Sequence, residues 1–298
     1  MSQARVGPAR SAAGLARRAQ LRSARLYLVT DDETPAAQLS LLISRAVAGG
    51  VELIQLRRKR TGAGELRELA TECMQAAHAG GALFLVDDHV ELALEVGADG
   101  VHLGQTDLDP VEARSRLGPE PLLGLSTQTK AQVVQAASQP VDYLSAGPVH
   151  ATPTKPGRPA VGFEHVTLAA ARATVPVVAI GGLGPGTARQ AVAAGADIVG
   201  VVRAICQAES PDRMAAELRH EIRESIPWIR IRVNGKARKC PSGGSIRDFL
   251  DLIEVGQDGV VVERNGEIFR ASELREAALA DGDDLEVVHL VGGGSDHG

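Results

Sequence analysis

The stretch ALFLVDDHVELALEVGADGVHLG, residues 82–104, contains one complete unit of the pattern that decides the fold. An apolar run at 82–86 precedes two aspartates, a helix-like segment ends at Gly97, and a second apolar run begins at Gly100. Uninterrupted aliphatic runs are typical of strands buried on both faces, and glycine is favoured where a helix stops. The stretch therefore predicts a strand, a helix and a second strand parallel to the first.

The same unit recurs on both sides of this stretch. Eight apolar runs lie between residues 26 and 202, separated by helix-like segments: 26–31, 51–57, 82–88, 100–104, 122–127, 143–148, 175–182 and 197–202. Eight βα units in about 200 residues predict a (β/α)8 TIM barrel of the α/β class. A doubly wound open sheet is the alternative, but the G-x-G-x-x-G sequence of dinucleotide-binding domains does not follow the first run.

The pattern changes after Pro227. WIRIRV (228–233) alternates apolar and basic residues, as a half-buried antiparallel strand does, and Asn234-Gly235 is typical of a hairpin turn. A helix is predicted over 245–253, and further strands over 259–263 and 285–291. The resulting ββαββ order predicts a small α+β domain of the β-grasp, ubiquitin-like type.

Charge is unevenly distributed along the chain. The whole chain has 32 Lys+Arg, 37 Asp+Glu and a formal charge of −5, but residues 1–25 contain six arginines and no acid. This composition predicts a basic, disordered tail, although an organellar transit peptide has the same composition. We therefore expect a tail at 1–25, the barrel at 26–224, a linker at 225–227, the β-grasp domain at 228–294 and an extension at 295–298.

Composition also excludes several classes of protein. The acidic remainder and the low aromatic content of 2% argue against nucleic-acid binding. No apolar run reaches the ~18–20 residues of a membrane span. The three cysteines are odd in number and widely spaced, which argues against a disulfide framework or a C-x-x-C site. We expect a cytoplasmic protein that binds neither nucleic acid nor membrane.

The strand ends predict a site for a diphosphate. In a TIM barrel, reactive side chains collect at the carboxyl ends of the strands. A carboxylate pair suits Mg²⁺ with substrate phosphates, clustered cations suit a polyanion, and backbone N–H groups after strand seven suit a phosphate. The strand ends supply Gln55, Arg57, Lys59, Asp87, Asp88, Asp107, Ser126, Thr152, Thr154, Lys155 and Gly181-Gly182. Alternatively, residues 57–60 form a solvated basic loop, Asp87-Asp88 caps a helix, and Gly181-Gly182 only forms a turn.

These residues resemble a known family. The segments IQLRRK (54–59), LVDDHVELALEVGADGVHLGQTDL (85–108), GLST (124–127), GPVHATPTK (147–155) and AIGG (179–182) occur in the order and spacing of thiamine-phosphate synthase. Residues 228–294 resemble the sulfur carrier protein of thiamine biosynthesis, a β-grasp protein with a Gly-Gly terminus. The resemblance implies that an aminopyrimidine diphosphate and a thiazole phosphate, or its carboxylated form, are joined with release of diphosphate.

The resemblance also implies roles for particular residues. Mg²⁺ would be held by Asp88 and Asp107, and His102 is expected to be an ordinary buried core residue. The implied catalytic residues are Arg57, Lys59, Ser126 and Lys155. The pyrimidine diphosphate would contact Gln55, Leu56, Arg57, Arg58, Lys59, Asp87, Ser126 and Lys155. The thiazole phosphate would contact Thr152, Pro153, Thr154, Gly182, Val202 and Arg203.

The chain departs from the pattern of both families. Asp87, Gln128 and Arg203 stand where the synthase family has Asn, His and Ser. Ser295–Gly298 follow Gly293 and Gly294, although a sulfur carrier needs a free terminal glycine carboxylate. The carrier-like domain implies an adenylating enzyme and a thiazole synthase as partners, and the barrel is a candidate homo-oligomer. Two rival hypotheses are a thiazole tautomerase-like isomerase, and a carrier or interaction protein with a degenerate barrel.

Overall fold

The computed structural model describes residues 11–152, 157, 159–225, 228–256 and 259–289. Eight parallel strands close into a barrel in sequence order, with the last strand paired to the first through Tyr27 and Gly200. The strands are β1 (Leu26–Val29), β2 (Leu53–Leu56), β3 (Leu83–Asp87), β4 (Gly100–Leu103), β5 (Leu122–Thr127), β6 (Tyr143–Ala146), β7 (Val177–Ile180) and β8 (Ile198–Val201). The predicted TIM barrel is confirmed.

Helices alternate with the strands around the barrel. They are α1 (Ala12–Ser23), α2 (Ala36–Ala48), α3 (Ala63–Ala79), α4 (Val90–Val96), α5 (Pro110–Leu117), α6 (Lys130–Ala136), α7 (Gly162–Arg172), α8 (Ala188–Ala193), α9 (Arg203–Cys206) and α10 (Pro211–Arg223). Local sequence sets their ends: Asp109 accepts from the amide of Val111 at 2.9 Å to begin α5, and Gly97 ends α4 at φ 72°. None of these described helices has the length and apolar character needed to cross a membrane.

Strand alternation divides the barrel into an outer and an inner core. Residues such as Ile54, Leu56 and Phe84 face the helices, whereas Leu53 and Leu83 pack inside the barrel. The inner apolar residues lie near the amino ends of the strands. Polar side chains occupy the inner positions nearer the carboxyl ends, which makes that end of the barrel the candidate site.

The expectation of a disordered tail is wrong for residues 11–25, because α1 packs on the barrel. Leu21 joins the inner apolar cluster beside Leu53 and Leu122 and so closes the amino end of the barrel. Arg18 is only 4% exposed and donates to both carboxylate oxygens of Asp142, at 2.7 and 3.1 Å. Composition alone did not predict this helix, because Asp142, the anionic partner of Arg18, lies 124 residues away in the sequence. Residues 1–10 lie outside the described part of the chain.

The second domain is the predicted β-grasp. Its sheet has the order β10-β9-β13-β11-β12, with β13 parallel to β9 and the other pairs antiparallel. The elements are β9 (Trp228–Val233), β10 (Lys236–Pro241), α11 (Ile246–Leu252), β11 (Val260–Arg264), β12 (Glu267–Arg270) and β13 (Asp284–His289). Asn234 and Gly235 both have positive φ, as the predicted tight turn requires. Gly293, Gly294 and the extension at 295–298 lie outside the described residues.

The β-grasp domain is docked on the barrel near the α8–β8 loop. The indole Nε1 of Trp228 donates to the carbonyl of Ala193 at 2.8 Å. Its ring lies over Gly195, where a Cβ would come within 2.6 Å of the ring. Lys239 of β10 donates to the carbonyl of Gly195 at 3.2 Å and forms an ion pair with Asp197. An aromatic contact and a largely buried ion pair therefore hold the two domains together.

Trp228→Ala should loosen this docking without unfolding either core. Loss of the indole contact is expected to speed hydrogen–deuterium exchange at the amides of residues 193–197 about tenfold, because the side chain that covers them is removed. Ile268→Ala is the matched control, since Ile268 is 63% exposed on the β-grasp sheet. Equal exchange in the two variants would show that Trp228 does not hold the domains together.

Candidate active site

An open cavity of about 150 Å³ lies inside the barrel at the carboxyl ends of the strands. Residues from all eight strands or the loops that follow them contribute to its wall. The wall residues are Val29, Gln55, Arg57, Asp87, His102, Ser126, Gln128, Ser145, Gly147, Pro148, Thr152, Ile180, Gly181, Gly182, Leu183, Gly200, Val201, Val202, Arg203 and Ala204. Charged groups lie on the β2–β3 side, and exposed backbone lies on the β7–β8 side.

A cluster of cations and carboxylates forms the β2–β3 side. Asp87, at the end of β3, has its Oδ2 3.1 Å from Lys59 Nζ and 3.9 Å from Arg57 Nε. Arg57 also pairs with Asp32 at 3.2 Å, and Lys59 pairs with Asp88. Within the described residues, Arg57 Nε completes no hydrogen bond, and Asp87 Oδ2 has only its ion-pair contacts with Lys59 and Arg57. Buried polar atoms left in this way mark a place where a ligand can supply the missing bond.

A hydrogen-bonded chain of buried side chains crosses the floor of the cavity. Tyr27 donates to Gln55 Oε1 at 2.5 Å, and its oxygen lies 3.1 Å from the hydroxyl of Tyr143. His102 Nδ1 lies 2.8 Å from Tyr143 Oη, and His102 Nε2 lies 2.9 Å from Ser126 Oγ. Burial raises the pKa of both tyrosines, so both keep their protons.

One arrangement of protons satisfies every bond of this chain when the imidazole is neutral. The hydroxyl of Tyr27 donates its hydrogen bond to Gln55, so the hydroxyl of Tyr143 must donate to Tyr27. His102 must then carry its hydrogen on Nδ1, from which it donates to Tyr143. Ser126 then donates to His102 Nε2. The oxygen of Ser126, which lines the cavity, accepts from Ser145 Oγ at 3.4 Å and keeps a second lone pair toward a bound ligand.

Asp88 and Asp107 form a carboxylate pair at the edge of the cluster. Asp107 Oδ2 accepts from the amide of Gly104 at 2.6 Å. Burial, followed by the neighbouring Asp88 carboxyl, raises the pKa of Asp107. Two mutually repelling carboxylates fit a divalent cation, which would remove the repulsion. The described residues contain no group of three or more His, Cys, Asp or Glu side chains that could hold a metal, so Mg²⁺ here would need phosphate or water as further ligands.

The β7–β8 side offers backbone in place of charged side chains. Gly181 and Gly182 have φ of 106° and 70°, and a Cβ on Gly182 would come within 2.7 Å of His150 Cβ. Only glycine fits this conformation and close approach. Arg203 begins α9 at the end of β8, lines the cavity and is exposed. This side therefore combines glycine backbone that a ligand can approach closely with the cation of Arg203, a combination that suits a phosphate.

Comparison with protein families now identifies the chain. Residues 26–205 match the sequence model of the family described as Thiamine monophosphate synthase. The chain belongs to this family. Residues 231–294 match the ThiS family, in agreement with the β-grasp fold of the second domain.

Individual relatives agree with this family assignment. The chain is 45% identical over 199 residues to "Thiamine-phosphate synthase" of Gloeobacter violaceus, covering 67% of this chain and 58% of that protein. It is 44% identical over 208 residues to "Thiamine-phosphate synthase" of Thermobifida fusca, covering 69% and 95%. Four relatives with this name, including the one from Gloeobacter violaceus, are longer, and the chain spans between 54% and 60% of their length.

Solved structures resemble the barrel as well. "Thiamine phosphate pyrophosphorylase" from Pyrococcus furiosus is 32% identical with a TM-score of 0.62, and the match covers 68% of this chain and 98% of that one. Orotidine 5'-phosphate decarboxylase from Pyrococcus horikoshii, at 16% identity and a TM-score of 0.51, covers 66% and 99% and shares the fold alone.

The structure brings together most of the residues that the synthase resemblance implies. The residues on the cavity wall are Gln55, Arg57, Asp87, Ser126, Thr152, Gly182, Val202 and Arg203. Lys59, Asp88 and Asp107 lie beside them, connected through the contacts of Asp87 and Lys59. Pro153, Thr154 and Lys155 lie outside the described residues.

Two of the residues that the resemblance implies, Leu56 and Arg58, have side chains that point away from the cavity. The side chain of Leu56 is 1% exposed and packs in the outer core. Arg58 donates to the carbonyls of Asp31 and Thr34, at 3.1 and 2.7 Å, and so fixes the β1–α2 loop. These two side chains point away from the cavity because alternate residues of a strand point to opposite faces, and substrate contact by Leu56 and Arg58 stays a prediction.

Sequence reasoning missed several polar residues of the cavity and its floor. Tyr27, Tyr143 and Ser145 precede the strand ends, and their roles depend on partners in neighbouring strands. His102 is buried as expected, yet it also lines the cavity. Asp32 follows the first strand directly and could have been found by the rule that identified Asp88 and Asp107.

Proposed function

We propose that the barrel forms thiamine phosphate from an aminopyrimidine diphosphate and a thiazole phosphate, or its carboxylated form, in a Mg²⁺-dependent transfer. One observation carries the proposal: a single cavity has cations and carboxylates on its β2–β3 side and a glycine-lined backbone with Arg203 on its β7–β8 side. Two phosphorylated substrates require two such sides facing one reaction space.

The bonds that change require no general base. The bond between the pyrimidine methylene carbon and the diphosphate oxygen breaks, and diphosphate leaves with the electron pair. The lone pair of the thiazole nitrogen then forms the new bond to that carbon. The attacking nitrogen carries no proton, so no residue has to remove one during these steps.

Residues of the charged side would stabilise the leaving group. Arg57 and Lys59 would bind oxygens of the diphosphate, and Arg57 Nε offers a buried donor without a partner among the described residues. Asp88 and Asp107 would hold Mg²⁺, which supplies charge neutralisation to the leaving diphosphate when it is bound. Lys155, which follows β6 in the sequence, would add a further cation.

Other residues would orient the two rings. Ser126 is left as an acceptor by its bond to His102, so it suits an amino group on the pyrimidine. Gly182, Thr152 and the Val202-Arg203 backbone would hold the thiazole phosphate, and Pro153 and Thr154, which follow Thr152 in the sequence, would contact the same phosphate. Gln55 would contact the pyrimidine diphosphate while holding Asp87 in place.

A steady-state assay tests this function on the full chain. Thiamine phosphate should form only when both phosphorylated heterocycles and Mg²⁺ are present, and diphosphate should be released in equal amount. Conversion of a thiazole phosphate isomer without the pyrimidine substrate would favour the isomerase hypothesis. An absence of product under all conditions would refute the proposed transferase.

For the second domain, we propose a sulfur-carrier role in thiazole formation. The match of residues 231–294 to the ThiS family supports it, and an adenylating enzyme and a thiazole synthase are the proposed partners. The chemistry requires cleavage after Gly293 or after Gly294, which removes Ser295–Gly298 and exposes a glycine carboxylate. Intact-mass measurement of protein from its native host should show the trimmed chain and a thiocarboxylate. A full-length unmodified chain during active thiamine synthesis would contradict a carrier role.

A further inference from the structure

We propose that Asp87 is an internal counter-ion that makes diphosphate binding conditional on a divalent cation. The inference rests on the proposed function and adds a specific role for one residue of the site. In this role Asp87 stays paired with the two cations of the charged side, so a diphosphate can join them only when a divalent cation offsets its negative charge.

The first support is the charge of the cluster. Among the described residues, four carboxylates (Asp32, Asp87, Asp88 and Asp107) lie beside two cations (Arg57 and Lys59). These six groups together carry two net negative charges before any ligand binds. A free diphosphate entering it would meet net repulsion, whereas a bound divalent cation cancels those two charges.

The second support is the position of Asp87 among these groups. Its Oδ2 lies within 4 Å of both Lys59 Nζ and Arg57 Nε, which no other carboxylate oxygen does among the contacts of the described residues. It faces the cavity, whereas Asp32 binds Arg57 and the amide of Lys59 from the loop after β1. Asp87 thus occupies the place where an anionic ligand would meet both cations.

The third support is that Asp87 cannot easily turn away. Gln55 Nε2 donates to Asp87 Oδ1, and Gln55 is itself fixed by the buried hydroxyl of Tyr27. Asp87 is 7% exposed, so water cannot replace these partners freely. The carboxylate therefore stays beside the cations when a diphosphate arrives, and its charge must be offset.

Asp87→Asn tests the inference because it removes one charge and keeps the shape and the bond from Gln55. Inorganic diphosphate is the probe, titrated calorimetrically into the full chain with and without Mg²⁺. Without Mg²⁺ the variant should bind diphosphate at least about tenfold more tightly than the unchanged protein. The ratio of affinities with and without Mg²⁺ should fall by a similar factor.

Two further variants make the result specific. Glu209→Gln also removes one negative charge, but Glu209 is exposed and does not line the cavity, so its binding constants should not change. Asp87→Ser removes the charge with a smaller side chain and should tighten Mg²⁺-free binding in the same direction as Asp87→Asn.

The outcomes separate this inference from the proposed function. If the unchanged protein binds diphosphate with Mg²⁺ but Asp87→Asn leaves Mg²⁺-free binding equal or weaker, the counter-ion role is overturned and the transferase proposal stands. If the unchanged protein and both Asp87 variants bind no diphosphate even with Mg²⁺, both proposals are overturned.

Discussion

Asp88→Ala is expected to lower kcat for thiamine phosphate formation by at least about 100-fold. Asp88 follows β3 with a φ of 60°, forms an ion pair with Lys59 and lies beside Asp107. Its removal would take one carboxylate from the proposed Mg²⁺ pair and release Lys59 from its position. Both effects act on negative charge that develops on the leaving diphosphate, so the rate of the chemical step should fall.

The measurement is the rate at saturating substrates over a range of Mg²⁺ concentrations. Asp88→Ala should also require more Mg²⁺ for half of its maximal rate. Asp109→Asn is the matched control, because Asp109 is an exposed helix cap and asparagine caps equally well. A loss of less than about threefold in Asp88→Ala, with unchanged Mg²⁺ dependence, would contradict the assigned role.

Arg18→Ala is expected to lower the free energy of unfolding of the barrel by about 3–5 kcal/mol. Arg18 is buried, forms a bidentate ion pair with Asp142 and donates to the carbonyls of Gly14, Pro119 and Glu120. Truncation removes the guanidinium donors from those carbonyls and from the Asp142 carboxylate. It also weakens the contact that holds α1, with Leu21, against the amino end of the barrel.

Arg17→Ala provides the comparison on the same helix. Its side chain is 30% exposed and pairs with Asp99, which also accepts from the amide of Phe84. The expected loss is at most about 1 kcal/mol. Urea unfolding followed by circular dichroism measures both variants, and equal losses would show that α1 is not anchored by the buried ion pair.

Much of the fold was predictable because the two strand patterns differ physically. Runs such as 82–86 lack polar alternation because they are buried on both faces, and this indicated a parallel barrel. Trp228–Val233 alternates because one face of the β-grasp sheet is exposed. The helix α1 was not predictable in this way, since the partner of Arg18 is brought near only by the closed barrel.

Site residues were predictable where the position of a residue in a strand decides whether its side chain points into the barrel or outward. Gln55 and Arg57 share the inward face with Leu53, whereas Leu56 and Arg58 share the outward face, and applying the two-residue period would have separated them. The links from Tyr27 and Tyr143 to His102 and Ser126 could not be found locally, because each joins different strands. Their register depends on the closed sheet.

The central claim is that this barrel joins the two heterocycles. A single-turnover reaction of the full chain, with enzyme equal to each substrate and Mg²⁺ present, tests it most directly when all products are identified by mass spectrometry. We predict one thiamine phosphate and one diphosphate for each pyrimidine diphosphate consumed. Unchanged substrates, or an isomerised thiazole phosphate with the pyrimidine diphosphate intact, would contradict it.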